Sequence, residues 1–134
     1  MKTGFDILER FYVILNVASI TSKINGRIYR RVKPPNSELQ DITILTLTTA
    51  NKKDVQPATI IINIYCKNLQ YGVPNETKLN QIADAVIAVL EAYTQSAGTN
   101  YFDLDLISEN TMQDDDQSTM SYTSLRINCM IENI

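Results

Sequence analysis

The chain has 134 residues, with 44% hydrophobic and 20% charged side chains and a formal net charge of −3. That is the size and make-up of one globular domain, residues 1–134, with enough chain to bury its own core. It has no histidine and only two cysteines, which removes histidine acid–base chemistry, Ser-His and Cys-His nucleophile pairs, and four-thiolate or histidine-rich metal sites.

The charge is unevenly spread. Residues 1–35 carry seven basic and two acidic groups, a balance of +5. Residues 36–100 balance to −2, and residues 101–134 carry one arginine against seven acids, a balance of −6. A chain with one basic and one acidic end suits head-to-tail contact between copies, because opposite fields steer encounter. Two solvated faces of a monomer would have the same composition.

In chain order, the spacing of Phe5, Leu8, Phe11, Tyr12, Ile14 and Leu15 predicts an amphipathic helix over about 6–18. Thr3 and Asp6 have the three-residue spacing of a near capping box. Asn25-Gly26 marks a turn before a short basic strand, Arg27 to Val32. Pro34-Pro35 ends it, since proline cannot donate to a ladder. Strands are expected over 41–49 and 58–67, joined by a polar loop over 50–57 that carries Lys52 and Lys53. In the second strand the even positions Ala58, Ile60, Ile62, Ile64 and Cys66 form the apolar face. Asn75 is placed to cap a helix running to about Gln95, buried through Leu79, Ile82, Ala83, Val86, Leu90 and Tyr93, with Gly98 at its C-cap. Two closing strands follow. Phe102, Leu104 and Leu106 alternate with Asp103 and Asp105, and Leu125, Ile127, Cys129 and Ile131 alternate with polar residues. An exposed loop over 109–118 is expected between them. The order α-β-β-β-α-β-β predicts an α+β fold, a two-layer sandwich of a mainly antiparallel sheet packed by two helices. Cys66 and Cys129 read as buried free thiols, and a disulfide would need their strands to be neighbours.

No stretch is long and apolar enough for a membrane span, and the first residues do not resemble a signal region, so a soluble cytoplasmic chain is expected. Candidate chemistry is sparse, and no catalytic, metal or cofactor site is expected. Asp114-Asp115-Asp116 is a dense acidic run, but consecutive carboxylates seldom converge on one cation, and the EF-hand spacing is absent. The basic group Arg27, Arg30, Arg31 and Lys33, with Tyr29 inside it, is too small a footprint for sequence-specific nucleic-acid binding in an acidic chain. It fits better as an ion-pairing surface for protein. Asp103 and Asp105 share a strand face and read as an exposed or interface strip, not as a catalytic pair.

The element order resembles the small tail-terminator or tail-completion proteins of long-tailed bacteriophages and prophages. The likeness lies in the N-terminal helix (Phe5 to Leu15), the strand Arg27-Ile28-Tyr29-Arg30 before Pro34-Pro35, and the loop Asn51 to Pro57. It continues in the strand Ala58 to Tyr65 and the Leu79-to-Val86 passage of a long helix. The resemblance implies a virion protein made in the host cytoplasm, with copies forming a ring, commonly a hexamer. Such a ring caps the tail-tube protein and presents a surface to the head connector or neck protein. DNA only passes through the lumen, and no cofactor or membrane is involved. Under it, Arg27, Arg30, Arg31, Lys33, Asp103 and Asp105 would serve contacts between subunits or with partners. Lys52, Lys53, Asp114, Asp115 and Asp116 would face the tube, lumen or connector, and an acidic lumen would repel DNA. Another head–tail joining or neck protein fits the same residues, and a monomeric bacterial adaptor docking an acidic partner is the reading outside the virion.

Overall fold

Thr3 starts the first helix through a reciprocal pair. Its hydroxyl accepts from the Asp6 N–H at 3.1 Å, and Asp6 accepts from the Thr3 N–H at 3.0 Å, a complete capping box. In this computed structural model, which describes residues 3–49, 55–96 and 102–132, helix α1 spans Gly4–Leu15 and a short α2 spans Ala18–Thr21. Strands β1 (Ile28–Arg30), β2 (Ile42–Thr49) and β3 (Val55–Lys67) follow. A 3-10 turn, Gln70–Gly72, leads to α3 (Glu76–Ser96), and β4 (Phe102–Gln113) and β5 (Met120–Glu132) close the chain.

The five strands form one sheet in the order β1-β2-β3-β5-β4. β1 is parallel to β2, and every other pair is antiparallel. Ala58, Ile60, Ile62, Ile64 and Cys66 are buried, as the alternation predicts. The register sets Ile60 opposite Ile127 and Ile62 opposite Leu125, so β5 continues the same apolar face. α1 covers β1 and β2, while α3 covers β3, β5 and β4. Each fully buried isoleucine stabilises the core by about 1.5–3 kcal/mol. The α+β two-layer plan is therefore present, with the helices on one face of the sheet.

The element ends differ from the sequence reading for identifiable reasons. α1 stops at Leu15, not near Ala18. At about 100° per residue, Ile20 on a continued helix would point roughly 180° away from Phe11. The break at Asn16 and Val17 lets α2 turn Ile20 inward, where it is fully buried. β3 begins at Val55 and contains Pro57. Among the described residues the β2 ladder reaches Thr49–Ala58, and Pro57 pairs with Met130 of β5. β4 runs on to Gln113 through residues expected to be loop. A bulge at Ile107 shifts its phase and puts Glu109 and Thr111 opposite Leu125 and Thr123, on the helix side. These positions line a polar cleft with Glu76, Thr77 and Asn80 of α3, so no hydrophobic alternation marks them. Asn75 caps α3 as expected, accepting from the Lys78 N–H at 3.2 Å. Gly98 lies outside the described residues.

Cys66 and Cys129 are buried and free. Their strands are neighbours, but Cys66 pairs with Ser121 and Cys129 with Ala58. Ala58 and Cys66 lie eight residues apart along β3, roughly 27 Å at about 3.4 Å per residue. A disulfide spans less than about 7 Å between Cα atoms. Burial pushes the Cys129 thiol up to about 12, so it stays protonated.

Candidate assembly surfaces

The basic segment is anchored by a buried carboxylate. Asp41 is fully buried; its Oδ1 accepts from the Arg27 N–H at 3.1 Å and its Oδ2 from the Ser37 hydroxyl at 2.6 Å. Asn25 and Gln40 bond reciprocally beside it, and the Gly26 N–H donates to the Gln40 carbonyl. This knot sets where β1 starts. Ile28 turns into the core, Tyr29 to the open face of the sheet, and Arg30 back toward the helices.

Arg30 lies over the Tyr12 ring, 3.7 Å from its centroid, and forms a two-point ion pair with Glu9 of α1. The Glu9 hydrogen bond raises the Arg30 pKa. Arg30 thus ties β1 to α1. Arg27 and Arg31 are exposed. Arg31 has φ 70° and donates its N–H to the Ile44 carbonyl. The Lys33 ammonium donates to the Ser37 carbonyl at 3.2 Å and lies 4.9 Å from the centroid of Tyr65.

The structure brings part of the acidic run to the same place. The β4–β5 turn closes through Asp114, whose Oδ1 accepts from the Asp116 N–H at 3.0 Å. Asp114 and Asp116 line one wall of a 350 Å³ groove; Arg31, Lys33 and Pro34-Pro35 line the other. Tyr65 lies between them and stacks near Tyr122, with ring centroids 5.3 Å apart. Burial raises the Tyr65 pKa, and the Asp114 charge adds to the rise. Asp115 is exposed. Residues eighty positions apart therefore form one surface of mixed charge at one end of the open face. Among the described residues no group of three or more Cys, Asp or Glu is arranged to hold a metal ion, and no helix is long and apolar enough to cross a membrane.

Asp103 and Asp105 lie on β4, in register with Met130 and Asn128. Asp105 is exposed. The strand order puts β1 at one edge of the sheet and β4 at the other. Arg27 and Arg31 thus mark one edge and Asp103 and Asp105 the other, while Arg30 faces α1 and Lys33 shares a groove with Asp114 and Asp116. Lys52 and Lys53 lie outside the described residues.

Several surface features carry no motif. Glu9 has no sequence signal linking it to Arg30. A hollow of 640 Å³ runs along α1 beside Val13, Val17 and Tyr93, and its only hint was two valines off the buried stripe. Tyr71 stands 92% exposed at φ 64° before Gly72, in the link between β3 and α3.

No family model matches the sequence, and no curated protein matches it. Among solved structures, the chain is similar to one in the virion of the native gene transfer agent (GTA) particle. The TM-score is 0.57 at 12% identity, over 94% of this chain and 92% of that one. The likeness is one of fold, and it spans nearly the whole of both chains.

Proposed function

We propose that this chain is a structural protein of a phage-like virion and serves there as a tail terminator. Copies form a ring, of six subunits, that caps the tail tube and joins it to the head connector. The observation that carries this reading is the shared fold, end to end, with a chain of the gene transfer agent virion. The charge layout supports the ring. A ring closes through two different patches on each subunit, and opposite charges on opposite sheet edges favour that contact over self-pairing of like edges. The protein acts through its surfaces, with DNA only passing through the lumen. It is made in the host cytoplasm and ends in the virion.

Sedimentation of the purified chain across concentration and salt, alone and with the tail-tube protein of the same genome, tests the ring. A discrete species near six copies, weakened by salt, is expected. A monomer under every condition, tube protein included, would overturn the reading.

A further inference from the structure

Among the described residues, two sheet edges stay open. β4 is 12 residues long, and the strand it pairs with among the described residues is β5. A long edge strand is a template for another chain, and monomeric proteins blunt such edges with lysine or proline. β4 contains neither. It carries Asp103, Asp105 and Glu109 with no basic residue, and Leu106 and Ile107 at its bulge are 43% and 49% exposed. The far edge, β1, is flanked by the exposed Arg27 and Arg31, with Val32 next to them at 76% exposure.

The geometry points to a contact between copies in which the β4 edge of one chain lies against the β1 edge of the next. This deepens the ring reading and rests on it. The direction follows from topology. β1 runs with β2, and the three further steps across the sheet are antiparallel, so β4 runs opposite to β1. Rotation about an axis along the strands preserves these directions, so the edges meet antiparallel. It also keeps the open face of the sheet on one side. Arg27 is out of phase with the buried Ile28, and Asp105 pairs with Asn128, so both belong to that open face. Rotation also keeps height along the strands. The register sets Ile28 level with Thr111, so Arg31 lies two rungs from Asp105 on that face, while Arg27 lies six rungs, roughly 20 Å, away. Arg31 is therefore the basic residue that meets the acidic edge. Val32 on one edge and Leu106 and Ile107 on the other add apolar contact.

The backbone contributes little. The Arg27 carbonyl accepts from Ile42, the Arg31 N–H donates to Ile44 and the Arg30 carbonyl accepts from the Val32 N–H, which leaves only Ile28 and the Arg30 N–H turned outward and unused by these bonds. Side-chain charge therefore carries much of the contact.

The test is the assembly midpoint, the concentration giving half assembly, for four chains: wild type, Arg31→Glu, Asp105→Lys, and the chain with both changes. Both residues are exposed, and thermal melting checks that each variant folds. Each single-edge variant is expected to raise the midpoint by at least about tenfold, and the combined chain to return to within about threefold of wild type. A wild-type ring whose midpoint ignores both edge variants, or whose combined variant assembles no better than either alone, overturns the edge contact and leaves the ring standing. A wild type that never assembles, with or without tube protein, overturns both.

Discussion

Phe11→Ala is expected to lower the unfolding free energy by about 3–5 kcal/mol. Phe11 is fully buried and belongs to the continuous core formed by α1, the sheet and α3. Truncation removes its transfer energy and leaves a cavity that the isoleucines beneath cannot fill without leaving their rotamers. Most small domains have only about 5–15 kcal/mol in total, so the change takes a large share. Phe5 on the same helix is the internal control. It is 59% exposed, and Phe5→Ala is expected to cost less than about 0.5–1 kcal/mol. Urea unfolding of the two variants separates them. Equal losses would mean that α1 is rotated from the position described.

Gly26→Ala is expected to cost about 2–4 kcal/mol. A Cβ there would sit 2.1 Å from Asp41 Oδ1 and 2.6 Å from the Gln40 carbonyl oxygen. The Asp41 carboxylate cannot swing aside cheaply, because it is fully buried and holds the Arg27 N–H and the Ser37 hydroxyl. The Gln40 oxygen is backbone. Relief therefore means moving β1 away from β2, with an overpacking cost of about 1–3 kcal/mol and a weakened buried hydrogen bond worth roughly 1 kcal/mol. The glycine is required here by close approach and not by a positive φ. Chemical denaturation gives the loss directly; a Gly26→Ala chain as stable as wild type would contradict the Asp41 knot.

The strands with one buried face and the caps were legible because their signals are local. Ile60, Ile62 and Ile64 alternate, Thr3 and Asp6 have the right spacing, and Asn75 precedes a clean helical stripe. Features set by tertiary context were not. The helix break before Ile20 exists because a straight helix would strand that side chain in water. The second half of β4 faces a polar cleft, so its pattern looks like a loop. The functional surfaces divide in the same way. Composition alone showed a basic end and an acidic end. Only the strand order revealed that β1 and β4 are opposite edges, since the connection through β5 cannot be read from periodicity. The pairing of Arg30 with Glu9 and the groove joining Lys33 to Asp114 both depend on contacts far apart in the chain. The two cysteines make the same point: periodicity left open whether their strands are neighbours, and in the adjacent strands register alone keeps the thiols apart.

The most direct measurement is electron microscopy of tubes polymerised from the tail-tube protein of the same genome, with and without this chain. Ring-shaped density on one end of each tube, with growth arrested there, is the result expected of a terminator. Tubes that keep lengthening with bare ends in the presence of excess protein would contradict that role.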